Sequence, residues 1–105
     1  MKSRYLACIE SCQECYMDCQ DCLYQMLGKD SMNDCPKCCI QCAEVCLSTM
    51  KFLMSKSPFV KEQVLLCAEV CKWCAEQCGA HDHHHCKVCA ESCKICELEC
   101  RKLAA

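Results

Sequence analysis

The chain has 105 residues and a net charge of −2, with 12 basic and 14 acidic residues interspersed along its length. This is the size of one domain, so we expect residues 1–105 to form a single unit. No basic stripe is present to neutralise a phosphate backbone, and nucleic-acid binding is not expected.

No stretch approaches the roughly 20 apolar residues that cross a bilayer. Residues 1–12 also lack an apolar segment followed by a small-residue cleavage site. We therefore expect a cytoplasmic protein with no membrane partner.

Nineteen cysteines are the most prominent feature of the composition. Small secreted proteins with so many cysteines are usually disulfide scaffolds rich in turns, but this chain has two glycines, two prolines and an odd cysteine count. In a reducing compartment thiols stay free, and cysteine clusters bind metal or do chemistry. We therefore expect free thiols in place of disulfides.

The first half of the chain predicts two helices. One covers about residues 3–27, since Gly28 has the character of a residue that ends a helix, and a polar loop follows it. The other begins near Asp34, with Pro36 in its first turn, and continues to about Met54.

The second half predicts two more helices. Ser57 followed by Pro58 is a typical helix start, and that helix stops at Gly79. Asp82 is suited to cap a fourth helix, which ends near Leu103. All connections are short, which favours antiparallel neighbours. The predicted fold class is all-α: an antiparallel up-down-up-down four-helix bundle.

The cysteines supply the periodicity that apolar residues supply in most bundles. Within each predicted helix they recur at spacings of four and three residues, which keeps them within roughly 40° of one line along the helix. They are Cys8, Cys12, Cys15, Cys19 and Cys22 in the first helix; Cys35, Cys39, Cys42 and Cys46 in the second; Cys67, Cys71, Cys74 and Cys78 in the third; and Cys86, Cys89, Cys93, Cys96 and Cys100 in the fourth. Cys38 lies roughly 60° off the line of the second helix. The core is therefore predicted to be lined with cysteine.

Antiparallel packing aligns these thiol faces in four layers of four. The layers are Cys8/Cys46/Cys67/Cys100, Cys12/Cys42/Cys71/Cys96, Cys15/Cys39/Cys74/Cys93 and Cys19/Cys35/Cys78/Cys89, about 5 Å apart at the helical rise. If cysteine served only as a small core residue, leucine or phenylalanine would bury more apolar area without the risk of oxidation. The alignment therefore indicates a column of metal ligands, and all nineteen cysteines, Cys38 included, are candidate ligands.

The choice of metal depends on charge and softness. Thiolates favour Cu(I), Zn(II) and iron–sulfur clusters. A closed Cys₄ zinc site carries a charge of −2, and several such sites stacked in one core would repel one another. Cu(I) paired with about one thiolate per ion leaves a filled core nearly neutral. The cysteine run typical of bacterial iron–sulfur proteins is absent from the sequence. The pattern favours multiple Cu(I) ions, with zinc buffering as the alternative.

The two ends of the predicted bundle differ. At the end that holds Cys22, Met26 continues the thiol line, and the loop before the fourth helix brings in His81, His83 and His85. We expect this end to be the entrance for metal and these four residues to be further ligands, although each histidine suits a solvated loop equally well. The opposite end is expected to be sealed by Tyr5, Met50, Leu53, Val60, Val64 and Leu103.

The back of the first helix carries Leu6, Met17 and Tyr24, roughly 160–180° from the thiol line, where a monomer is normally polar. Ile40 and Leu47 are placed similarly on the second helix. Exposed apolar patches of this kind mark association, so we expect a homo-oligomer.

These residues together resemble the cytosolic branch of the bacterial copper storage proteins, which are cysteine-rich four-helix bundles. The resemblance covers the whole chain. It rests on CIESCQECYMDCQDC in the first helix, the SPF turn at residues 57–59, and HDHHHC leading into CKVCAESCKIC in the fourth. It implies a tetramer of bundles, each holding many Cu(I) ions on the layered cysteines, and copper storage without enzymatic turnover.

A thiol redox sensor is a further hypothesis, from another class. Redox enzymes set one or two thiols apart by a low pKa, an electropositive neighbour and some exposure, whereas the cysteines of this chain are equivalent in pattern. The sequence also has no Ser/His/Asp set and no Gly-rich phosphate loop. We therefore expect no catalytic activity.

Overall fold

Four helices pack side by side around a long axis. The computed structural model describes residues 4–105, with α1 at Leu6–Met26, α2 at Lys37–Met54, α3 at Val60–Gly79 and α4 at His84–Ala104. Helix α1 packs against α2 and α4, and α3 packs against the same two helices. The bundle measures 40 × 22 × 17 Å. Each helix packs against its neighbours in the chain order of an antiparallel bundle, which confirms the predicted up-down-up-down fold class.

All four helices start later than the sequence predicts. Helix α2 begins at Lys37, so Pro36 precedes its first turn, and Cys35 lies in the connection from α1. Helix α4 begins at His84 after an extended His83, so Asp82 does not cap it. Helix α1 begins at Leu6 after a turn at residues 4 and 5; residue 3 itself lies outside the described residues. Helix α3 begins at Val60, so Ser57 and Pro58 precede it, and Ser57 Oγ accepts the N–H of Phe59 at 3.0 Å ahead of the helix. The later start of α2 has the largest consequence for the metal ligands, because it leaves Cys35 outside the helix that carries Cys39, Cys42 and Cys46.

The turn after α1 forms as the sequence predicts. Gly28 has a φ of +80°, in the left-handed region where only glycine is free of strain, and Lys29 N–H donates to the carbonyl of Met26 at 3.0 Å. The connection that follows, residues 27–36, crosses one end of the bundle before α2 begins.

The core consists mainly of sulfur. All nineteen cysteines are at most 1% exposed, and all are free thiols, as the sequence predicts. Small residues let the helices approach: a Cβ added at Gly79 of α3 would lie 3.7 Å from the Cβ of Ala90 on α4. Within residues 4–105, no helix combines the length and hydropathy needed to cross a membrane.

Candidate metal centre

The thiols of α1 and α4 pair along the whole bundle. The Sγ–Sγ distances are 3.6 Å for Cys8–Cys100, Cys12–Cys96, Cys15–Cys93 and Cys19–Cys89, and 3.7 Å for Cys22–Cys86. The first four pairs are those of the predicted layers, so the register between these two helices is confirmed.

The register of α2 differs from the predicted layers. Cys15 was expected opposite Cys39, but its Sγ lies 3.7 Å from that of Cys42. The Sγ of Cys35 lies 3.9 Å from that of Cys22, which is the next cysteine along α1 after the predicted partner, Cys19. Helix α2 is therefore shifted along α1 by about one turn. Cysteine spacing fixes the thiol face of a helix but not its height beside a neighbour, so the sequence could not predict this shift.

This shift interleaves the thiols, so that they do not stack in flat layers. Groups of four Sγ atoms lie within 4.8 Å of one another, among them Cys12/Cys46/Cys67/Cys96, Cys15/Cys46/Cys71/Cys96, Cys15/Cys19/Cys42/Cys93, Cys19/Cys74/Cys89/Cys93 and Cys22/Cys35/Cys39/Cys78. Several cysteines, such as Cys15 and Cys46, belong to two groups. The sulfur atoms therefore form one continuous column in which neighbouring groups share ligands.

Cys38 joins the column despite its off-line position. Its side chain is fully buried, and its Sγ lies 3.7 Å from the Sγ of Cys78 on α3. Cys78 also approaches Cys35 at 3.3 Å and Cys39 at 3.5 Å. The thiols are thus densest at the end of the bundle where α2 begins.

Neighbouring thiols oppose one another's ionisation. Hydrogen bonding, first of all with Cys15, lowers the pKa of Cys42, because a thiolate there accepts S–H donors. Hydrogen bonding with Cys19 raises the pKa of Cys74, and burial raises that of Cys86. A second thiolate beside the first would meet like charge in a desolvated core. Most of these thiols therefore stay protonated until a cation compensates them.

We call the end of the bundle formed by Cys22, Cys35, Cys78 and Cys86, together with Met26 and His85, the mouth. Here a thioether and an imidazole join the thiols. The Sδ of Met26 lies 3.9 Å from Cys86 Sγ, and the Nδ1 of His85 lies 3.5 Å from the Sγ atoms of both Cys22 and Cys86. Burial lowers the pKa of His85, which favours the neutral imidazole that binds metal.

The other predicted histidines are placed differently. His83 is exposed, and its ring stacks between those of His85, at 5.2 Å, and His81, at 6.0 Å. The Nε2 of His81 lies 3.0 Å from Asn33 Oδ1 and 3.2 Å from Ser31 Oγ, so it contacts the α1–α2 connection. Only His85 among the three has a hydrogen-bond contact with a thiol. Sequence alone could not distinguish them, since all three follow one another in a polar loop.

The opposite end is closed as predicted, and we call it the sealed end. Leu53 and Val64 are fully buried there, and Val60 is nearly so. The sequence prediction missed a polar contact here: the fully buried Thr49 donates through Oγ1 to the Val45 carbonyl at 2.7 Å and accepts from Nε2 of the partly buried Gln63 at 3.0 Å. The sequence could have indicated this contact, because Thr49 lies one turn beyond Cys46 on the face of α2 that carries the cysteines.

Comparison with known proteins decides the family. The model of the copper storage protein family, Csp, matches residues 1–105. The chain belongs to the copper storage protein family. The sequence resemblance is thereby confirmed over the whole chain.

Relatives of known sequence and structure agree with this assignment. An uncharacterized cysteine-rich protein of Bacillus subtilis strain 168, YhjQ, is 38% identical over 102 residues, which cover 94% of each chain. The Cu(I)-bound copper storage protein BsCsp3 is 37% identical, with a TM-score of 0.93 over 98% of this chain and 100% of that one. A cytosolic copper storage protein of Streptomyces lividans with five coppers is 32% identical, with a TM-score of 0.89 over 96% of this chain and 92% of that one.

Proposed function

We propose that this copper storage protein holds many Cu(I) ions along the whole thiol column, with all nineteen cysteines as ligands. One observation carries the proposal: the buried thiols form overlapping groups of four, in which a single sulfur serves two groups. Bridging thiolates suit a chain of monovalent ions, because roughly one thiolate per Cu(I) leaves the core neutral. We infer that residues 1–105 act as one storage domain.

The overlap also argues against zinc buffering as the main role. A structural zinc ion takes four ligands of its own in a closed tetrahedron. Because Cys15 and Cys46 each belong to two groups, neighbouring groups cannot all hold a separate zinc ion. Those that could would each bury a charge of −2.

Soft donors at the mouth support this end as the route for copper. Met26 and His85 extend the ligand set beyond the last thiols, the exposed ring of His83 stacks on that of His85, and the buried His81 stacks on His83. We propose that these four residues assist Cu(I) transfer into the column. Among the described residues, the buried side chains that close the sealed end are Leu53, Val60 and Val64, beside the hydrogen-bonded Thr49.

We place this activity in the cytosol, where thiols stay reduced, and assign it no catalytic turnover. The relative from Streptomyces lividans is described as cytosolic.

The back of α1 exposes Leu6, Met17 and Tyr24, at 38%, 48% and 65%, and α2 adds Ile40 at 50%. We infer a homo-oligomer through this face, and a tetramer from the family resemblance. Light scattering after chromatography should show a tetramer, and Met17→Glu should dissociate it; a monomeric wild type would refute the inference.

Anaerobic titration tests the storage function. Reduced protein is titrated with Cu(I) and, separately, with Zn(II), each against a competing chelator. Storage predicts tight uptake of Cu(I) approaching the cysteine number, with only a few zinc ions bound. Uptake of one or two copper ions would indicate a chaperone or a sensor instead, and strong uptake of zinc alone would favour zinc buffering.

A further inference from the structure

The mouth is closed in this structure, although it is the proposed route for copper. Cys22, Cys35, Cys78 and Cys86 have no exposed surface, and Met26 is 1% exposed. An incoming ion or a copper donor therefore cannot reach these sulfur atoms unless a covering segment moves. The structure shows which segment closes this end and which hydrogen bonds hold it.

Residues 31–35 of the α1–α2 connection reach across to the end of α3. We call this segment the lid. Asn33 Nδ2 donates to the carbonyl of Gln77 at 2.8 Å, and Asp34 N–H donates to Gln77 Oε1, also at 2.8 Å. Ser31 Oγ and Asn33 Oδ1 both contact His81 Nε2. All of these contacts are made by polar groups, which can exchange them for water.

Asn33 is the centre of this network. Its Oδ1 accepts the N–H of Cys35 at 3.0 Å, in addition to the contact with His81. Because an amide oxygen only accepts, the Nε2 of His81 is the donor in this contact, which leaves Nδ1 as the ring atom that could bind a metal. One side chain thus sets the backbone position of Cys35 and the orientation of His81.

The same network places the thiol of the lid. Cys35 precedes α2, and its Sγ lies 3.3 Å from that of Cys78. Its two neighbours are joined to α2, since Cys38 N–H donates to Asp34 O at 2.8 Å and Ile40 N–H donates to Pro36 O at 3.2 Å. The connection between α3 and α4 is tied to its own helices, since His81 N–H donates to Cys78 O at 3.1 Å and Lys87 Nζ donates to Gly79 O at 2.6 Å. Residues 31–33 are instead held to Gln77 and His81 by side-chain contacts. The lid is therefore the segment of the mouth best able to open locally.

We propose that Asn33 and Gln77 are positioning residues for copper exchange, which hold the lid closed and present Cys35 to the column. Opening of the lid then sets the rate at which Cu(I) enters and leaves. This inference rests on the proposed function only in assuming that copper passes through the mouth. It assigns His81 a second role, since its Nε2 fastens the lid while its Nδ1 remains available as a ligand atom.

Four variants separate this role from general loss of stability. Asn33→Ala and Gln77→Ala remove lid contacts, whereas Gln77→Glu keeps an acceptor for the N–H of Asp34. Gln63→Ala removes a comparable side-chain hydrogen bond at the sealed end and serves as the matched control. If Asn33→Ala does not fold, which its circular dichroism spectrum shows, Gln77→Ala alone decides the test.

Two readouts are compared. In the first, reduced metal-free protein is alkylated with iodoacetamide, and peptide mass spectrometry follows Cys35 against Cys8 at the other end. We expect alkylation of Cys35 to be about tenfold faster in Asn33→Ala and Gln77→Ala, the change expected from the loss of a typical net hydrogen-bond contribution. The rate of Cys35 alkylation in Gln77→Glu and in Gln63→Ala should stay within about twofold of the wild-type rate.

In the second readout, stopped-flow absorbance follows Cu(I) transfer from loaded protein to a chelator. The lid predicts faster transfer in the same two variants, with an unchanged number of ions bound. Rates for Asn33→Ala and Gln77→Ala no higher than for Gln63→Ala in both readouts would overturn the proposal. The alkylation readout needs no metal, so it tests the lid even if the wild type binds little copper and the storage function fails.

Discussion

At the sealed end the four helices close on apolar side chains, among them Leu53 and Val64, and the buried hydroxyl of Thr49 is hydrogen bonded both to the Val45 carbonyl and to Gln63. At the mouth the same helices close on thiols, a thioether and an imidazole, and the Nε2 of His85 is buried without a hydrogen-bond partner among the described residues. Apolar burial stabilises one end whether or not metal is bound. The other end leaves soft donors available. The two tasks of the bundle, staying folded and exchanging metal, are thus assigned to opposite ends.

The largest effect should follow from a cavity at the sealed end. Leu53→Ala removes a fully buried side chain, and we expect it to lower the free energy of unfolding by about 2–5 kcal/mol. Denaturant unfolding of the reduced, metal-free protein measures this loss. Leu98→Ala, at a side chain that is 61% exposed, is the matched control and should change stability by less than about 0.5 kcal/mol.

The number of Cu(I) ions bound at saturation should be unchanged in Leu53→Ala, because the sealed end contributes no ligand. A fall in copper capacity without a loss of stability would contradict the division of tasks between the two ends.

An intermediate effect is expected at the mouth. His85→Ala removes the only mouth histidine whose ring contacts thiols, at 3.5 Å from Cys22 and Cys86, and should slow Cu(I) loading several-fold. The capacity of the thiol column should stay the same. Stopped-flow loading measures the rate, with His84→Ala, at the exposed neighbouring histidine, as control. Equal loading rates in His85→Ala and wild type would remove His85 from the copper route; the combined replacement of His81, His83 and His85 would then test the rest of the stack.

The smallest effect is a pH dependence that comes from the same residue. Burial, followed by the charges of Lys29 and His83, lowers the pKa of His85 below the ordinary histidine value of about 6.5. The unfolded chain therefore binds more protons at this position, so the stability contributed by neutral His85 is present above about pH 6.5 and is lost as the pH falls below it.

Thermal unfolding of metal-free protein at pH 7.5 and pH 5.5 measures this dependence. His85→Gln stays neutral throughout and is the control, so wild type should lose more stability than the variant over this interval. An equal or smaller loss in wild type would contradict the assigned direction of the pKa.

Much of the molecule follows from the sequence, for identifiable reasons. The spacing of cysteines such as Cys8, Cys12 and Cys15 determines which face of α1 turns inward, because helical periodicity needs no knowledge of neighbours. The sealed end follows from the apolar residues that replace cysteine there. Both predictions concern positions within one helix or at its end, and the structure confirms them.

What the sequence does not determine depends on how separate elements meet. The spacing of cysteines along α2 does not set the height of this helix beside α1, and in the structure Cys42 rather than Cys39 lies beside Cys15. The spacing places Cys38 off the thiol line, but a crowded mouth accommodates it. The lid likewise depends on Asn33 meeting Gln77, 44 residues later in the chain.

The most direct test of the central claim is copper K-edge X-ray absorption of protein loaded anaerobically to saturation. If the thiols of all four helices bind a shared chain of Cu(I) ions, the edge should be that of Cu(I), the first shell should be dominated by sulfur, and scattering from neighbouring copper atoms should be strong. A first shell dominated by nitrogen or oxygen, or isolated copper ions without copper neighbours, would contradict storage in the thiol column.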